Sequence, residues 1–195
     1  MKRSQNGIFS TRNLILMAAL VAMQIILARF LSIQVSEILR ISFESIPVIL
    51  AGMWLGPLSG AIVALVADVL GTVLSGYGIW FPPIALGPVL VGVISGLSTK
   101  YIFRSDLSAT RDSWKVVLTV VAAGIVNSFL IGAFTTTLYS IVVMGNTNAF
   151  SVLLWTNFVG RLTSKPVTIL VDALIVTVVT RADYRPVIRA IVHRA

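Results

Sequence analysis

"RISFESIPVILAGMWLGPLSG", residues 40–60, decides the fold. Its apolar run ends at Gly56-Pro57 and is too short to cross a bilayer, since a spanning helix takes about 20 apolar residues. Two charges, Arg40 and Glu44, stand at its front edge. The run reads as a short helix, 45–55, that leaves a recess at the membrane face, with Arg40 and Glu44 at the rim.

The rest of the chain says why a membrane is the right frame. Of 195 residues, 57% are hydrophobic and only 11% charged, against roughly 25% charged in a water-soluble domain. Most of the surface must therefore face lipid, and the length suits one all-α integral membrane domain, 1–195. The absence of cysteine excludes disulfides, thiolate metal sites and Cys nucleophiles. There is no G-x-x-x-x-G-K-[ST] loop and no H-E-x-x-H pair, and the lone His193 lies in a basic tail. No catalysis, cofactor or metal is expected. The net charge of +8 sits at the ends of apolar spans, which fits topology signals and anionic lipid rather than nucleic acid. Lys2, Arg3 and Arg12 precede an apolar run with no small-residue cleavage site, so an uncleaved first helix is expected.

Apolar length places helices at 13–33, 45–55, 58–74, 84–103, 113–144 and 152–180. Eleven of the fifteen Lys and Arg residues fall before the first helix, around the loop between the fourth and fifth, and after the sixth. Six spans put all three places on one side, which the positive-inside rule makes cytoplasmic, with both termini inside. The outer loops carry Tyr77, Trp80, Phe81 and Phe150. These form either an interfacial aromatic belt or a lid that Pro82-Pro83 helps to fold back.

Arg29, Asp68, Arg161, Lys165 and Asp172 fall within spans. An ionisable side chain at bilayer depth costs about 2.5–3.5 kcal/mol on insertion scales, so each needs a reason. At 100° per residue Arg161, Lys165 and Asp172 share one helix face. Gly60, Ala64, Ala67, Asp68 and Gly71 make a face of small residues that admits a close neighbour. One reading is an internal salt bridge from Asp68 to Arg29 or Arg161. The other is that the positive excess awaits an anion, for which a carboxylate suits the arginine fork. On the first helix Ala18 and Ala22 form a small-x-x-x-small pair that a second helical partner could use. No inverted repeat relates the two halves, which argues against many secondary transporters.

The stretch "ISFESIPVILAGMWLGPLSGAIVALVADVLGTVLSGYGIWFPPIALGPVLVGVISGL", with "LILMAALVAMQIILARFLSIQ" and "GRLTSKPVTILVDALIV", resembles the substrate-binding (S) component of energy-coupling factor transporters. It is most like the folate-type branch. The features are the I-S-F-x-x-I-P-x-x-L-A-G-M start, the L-G-P break, D-x-L-G in the third helix and a loop ending F-P. The resemblance implies a six-helix vitamin-binding subunit of the bacterial cell membrane, open to the outside. It implies partners as well: a transmembrane coupling (T) subunit, contacted through Ala18 and Ala22, and two cytoplasmic ATPases. Glu44, Ala67-Asp68 and Lys165-Pro166 depart from the folate-type pattern. The expected ligand-binding set is Arg29, Arg40, Glu44, Asp68, Trp80, Phe81, Arg161 and Lys165. A pterin would stack on Trp80 or Phe81, its amino-pyrimidine edge would meet Asp68 or Glu44, and its glutamyl tail would meet the cations. Pantothenate, pyridoxine, a thiamine precursor or riboflavin are alternative ligands, and a stand-alone secondary transporter is a different class.

Overall fold

A computed structural model describes residues 10–30, 33–34, 40–41, 43–75, 80–102 and 113–181. The elements are α1 (Thr11–Phe30), β1 (Ile33–Gln34), β2 (Arg40–Ile41), α2 (Ser45–Leu55), α3 (Pro57–Ser75) and α4 (Pro82–Leu97). A π-helical stretch, Ser98–Ile102, continues α4. Then come α5 (Ser113–Ile125), a second π-helical stretch (Val126–Gly132), α6 (Ala133–Val142) and α7 (Phe150–Arg181). The chain is an all-α membrane protein; the two strands are one two-residue antiparallel pairing between α1 and α2.

Four runs are long and apolar enough to cross a membrane: α1, α3, α4 with its π-helical end, and the continuous run through α5 and α6. α7 has the length too, but its two halves, Phe150–Thr163 and Lys165–Thr180, meet at 46°. Pro166 lies at this bend. A proline inside a helix removes one backbone N–H and clashes with the carbonyl four residues back. The expected helices 113–144 and 152–180 carry a π-helical stretch, Val126–Gly132, in the first and this bend in the second.

α2 explains the opening stretch. Its eleven residues rise only about 16 Å, roughly half of a ~30 Å hydrocarbon core. Every residue from Ile46 to Met53 is buried. A helix that is apolar all round belongs inside a bundle, not at its lipid surface. Its C-terminal end lies beside the C-terminal end of α4, where a Cβ on Gly96 would strike Pro57. Its N-terminal end therefore stops partway along α4, and the space beyond it is left to other groups.

Small residues let this buried helix sit close to its neighbours. A Cβ on Gly60 of α3 would come within 2.8 Å of both the Gly52 Cα and the Gly92 oxygen. One on Gly92 of α4 would come within 2.5 Å of the Gly60 carbonyl carbon. The backbones of α2, α3 and α4 thus touch around Gly52, Gly60 and Gly92. α1 packs on this unit through Met17, Leu20 and Val21, against Ala51, Val63 and Ala67. Its opposite face leaves Ala18, Ala19 and Ala22 exposed.

The break between α2 and α3 depends on one backbone conformation. Gly56 has φ 98° and ψ 171°, a region essentially restricted to glycine, and Pro57 then occupies the first position of α3, where its missing N–H is harmless. Gly56→Ala is expected to cost about 1–3 kcal/mol, although nothing lies within 4 Å of the added Cβ. Thermal unfolding in detergent checks this; an unchanged midpoint would show that the turn tolerates a side chain.

Candidate functional site

Beyond the N-terminal end of α2 lies a cavity of about 460 Å³, within the ~300–1,000 Å³ range of small-ligand sites. α4 lines it with Ile84, Gly87, Pro88 and Val91, a helical stripe about 10 Å long. α1 contributes Gln24, Ile25, Ala28 and Arg29, and α3 contributes Ala67, Asp68, Gly71 and Thr72. Glu44, Ser45 and Val48 enter from the start of α2. Asn127, Gly132, Thr135 and Thr136 come from the second π-helical stretch and α6, and Arg161 and Lys165 from α7. The small-residue face of α3 thus divides its work: Gly60 meets α2 and α4, while Ala67, Asp68 and Gly71 border the cavity.

At one end Arg29 donates to the Gly71 carbonyl, and Trp80 Nε1 donates to Asp68 Oδ2 at 2.9 Å. Trp80 is in reach of the cavity wall through that bond, but neither it nor Phe81 is among the lining residues. Phe81 instead meets Tyr139 edge-to-face, with ring centroids 5.7 Å apart.

In the middle, Arg161 Nη2 donates to Thr136 Oγ1 at 2.6 Å. Gly132 makes that path possible, since a Cβ there would collide with the guanidinium. Asn127 lies over Gly87 in the same way. Both side chains need room, and the π-helical stretch that carries Asn127 and Gly132 occurs at this point. Such stretches recur at functional sites because the extra residue per turn redirects side chains.

At the far end are Glu44, Ser45 and Lys165. Asp172 lies on the same helix, seven residues beyond Lys165. Asp172 is buried, and its Oδ1 has no hydrogen-bond partner. Glu44 thus lines the cavity from the start of α2. The Arg40 backbone pairs with Gln34 in the short hairpin; the Arg40 side chain lies outside the described residues.

Three cations, Arg29, Arg161 and Lys165, thus line the cavity with two carboxylates, Glu44 and Asp68. Among the described residues Asp68 bonds Trp80, Arg29 bonds a carbonyl and Arg161 bonds a hydroxyl; none of these bonds joins Asp68 to an arginine. Sequence reasoning passed over Gln24, Ser45, Asn127 and the three threonines, Thr72, Thr135 and Thr136. Gln24 and Asn127 were detectable as lone amides in apolar spans; the threonines carry no such signal, because threonine satisfies itself on helix carbonyls, as Thr136 does on Gly132.

Comparison with known proteins gives a concordant picture. A family model described as "ECF transporter, substrate-specific component" matches residues 12–180. The folate transporter FolT of Clostridium novyi (strain NT) is 38% identical over 98 residues, which is 50% of this chain and 55% of that protein. An uncharacterised protein of Mycoplasma pneumoniae is 34% identical over 131 residues, 66% of this chain and 42% of that protein. The chain spans about half the length of these curated relatives. The crystal structure of FolT bound with folic acid has the same fold, with a TM-score of 0.67, 24% identity, and coverage of 90% of this chain and 96% of that one.

Proposed function

The chain belongs to the substrate-specific components of ECF transporters, and from that premise we propose that it captures folate outside the cell for ATP-driven uptake by partner subunits. One observation carries the ligand class. Arg161 lines the cavity, partly buried among helices, and among the described residues a neutral hydroxyl is its hydrogen-bond partner. A cation held at depth without a carboxylate favours an anionic guest, and the guanidinium fork suits a carboxylate. Folate brings two carboxylates and a flat ring. The FolT relative and the folate-bound FolT structure make it the first ligand to try. Pantothenate, which also has a carboxylate, ranks second on the same ground; pyridoxine, riboflavin and thiamine precursors have none.

Orientation follows from charge. α4 runs from the Trp80 end of the cavity to Lys100, whose ammonium sits 5.3 Å from the Tyr101 ring. Lys115 lies 5.9 Å from the Trp114 ring at the start of the neighbouring α5. This basic, aromatic end is the cytoplasmic face by the positive-inside rule, so the cavity opens outward in a bacterial plasma membrane. The test is direct. Folate should be released from the detergent-purified protein and identified by mass spectrometry, and folic acid should bind the emptied protein in calorimetry. Retention of another vitamin, with no response to folic acid, would defeat the proposal.

The exposed Ala18 and Ala22 face of α1 is the docking surface for the coupling subunit, whose two ATPases supply the energy. Small residues permit close helix approach, so the Ala18→Leu, Ala22→Leu double variant should lower folate uptake in cells by about tenfold or more, an effect of ~1.4 kcal/mol or more on association. Vitamin binding by the isolated protein should be unchanged. Undiminished uptake would place the contact elsewhere.

A further inference from the structure

We propose that Glu44 selects the ring of the vitamin: its carboxylate takes the paired N–H donors of a 2-amino-4-oxopyrimidine edge, and Lys165 donates to the adjacent carbonyl oxygen. The inference rests on the folate reading and adds to it which carboxylate reads the ring and which end of the cavity the ring enters.

Two carboxylates line the cavity and either has the right chemistry. They differ in what already occupies them. Asp68 accepts the Trp80 indole N–H, so a ring edge there would compete with a bond already made. Glu44 accepts no hydrogen bond among the described residues, although it borders the cavity. Their surroundings differ as well. Val48 follows Glu44 by four residues, and Val48 and Val91 both line the wall, giving apolar surface for a ring. The aromatic side chains expected to stack on the ring are outside the lining.

The pattern of donors is the second argument. The edge of a pterin presents two N–H donors followed by a carbonyl acceptor. A carboxylate next to an ammonium is its complement, because the carboxylate only accepts and the ammonium only donates. Glu44, at the start of α2, and Lys165, on α7, line the same cavity, and α2 packs against α7. The start of α2, and Glu44 with it, is held by the burial of every residue from Ile46 to Met53. The ring then lies at the Glu44 end, and the carboxylate tail extends toward Arg161 and Arg29.

The test compares folic acid with its 2-desamino analogue by calorimetry on the purified wild-type, Glu44→Gln, Glu44→Ala and Asp68→Asn proteins. In the wild type, loss of the amino group should weaken binding about 10- to 100-fold, the range of one hydrogen bond to a charged group. In both Glu44 variants folic acid should bind as poorly as the analogue, so the ratio of the two dissociation constants collapses to within about threefold, as coupled partners do in a double-mutant cycle. Asp68→Asn should keep the wild-type ratio. General damage to the pocket would weaken both ligands together and preserve the ratio. A preserved ratio in the Glu44 variants, or its collapse in Asp68→Asn alone, overturns the assignment. A wild-type protein that ignores folic acid defeats the folate reading itself, a distinct result.

Discussion

Replacing Arg161 with alanine is expected to weaken folate binding about 30-fold to a few thousand-fold, the 2–5 kcal/mol that accompanies truncation of one member of a buried charge pair. The opposite sign is expected for the empty protein. With no vitamin bound, the guanidinium meets the Thr136 hydroxyl and borders the cavity, while an arginine at bilayer depth is itself unfavourable by about 2.5–3.5 kcal/mol. The loss of one hydrogen bond, worth ~1 kcal/mol, does not outweigh that cost. Arg161→Ala should therefore unfold at the same temperature as the wild type or higher. A side chain that only braces α6 against α7 would lower both quantities together. Arg161→Lys keeps the charge but loses the planar fork, so it should recover part of the affinity. Unchanged affinity in the alanine variant would sink the idea that this cation holds the vitamin's carboxylate.

Much of this architecture was legible in residue types. The charge deficit set the environment, the Gly56-Pro57 break set the length of α2, and the ionisable residues in and beside the apolar runs marked the cavity walls: Arg29, Glu44, Asp68, Arg161 and Lys165 all border one space. Depth was less legible. The apolar run of α2 gives its length, whereas its enclosure among other helices, with every residue from Ile46 to Met53 buried, is a tertiary fact. Local pattern cannot reveal this, because a half-length buried helix and a helix at one face share the same apolar run. The two helix irregularities were also beyond it. Pro166 announces a bend in α7 but not its angle. The widened turn at Val126–Gly132 has no sequence marker apart from its consequences, which are Asn127 over Gly87 and Arg161 beside Gly132.

The largest structural effect should come from a single methyl group, in Gly92→Ala. Its Cβ would lie 2.5 Å from the Gly60 carbonyl carbon and 2.6 Å from the Gly60 oxygen. These atoms belong to backbone, so no rotamer change relieves the clash, and α3 and α4 must move apart. Lipid-facing helices have no water-driven force to close the gap again. Overpacking of a tight core costs about 1–3 kcal/mol and sometimes more; with backbone on both sides the upper end is expected, a fall of about 6–12 °C at the ~2–4 °C per kcal/mol of a chain this size. Gly160→Ala is the matched control: its added Cβ meets nothing within 4 Å, and alanine favours the helix by ~1 kcal/mol. Ligand binding should follow the packing. Gly52 of α2 sits against the Gly92 oxygen, so displacement of α4 also shifts α2 and the Glu44 and Ser45 groups at its N-terminal end. Gly92→Ala should therefore lose affinity for folic acid as well as stability, although residue 92 is not in the cavity wall. A variant with wild-type melting and wild-type affinity would show that the three-helix glycine contact does not set the position of α2.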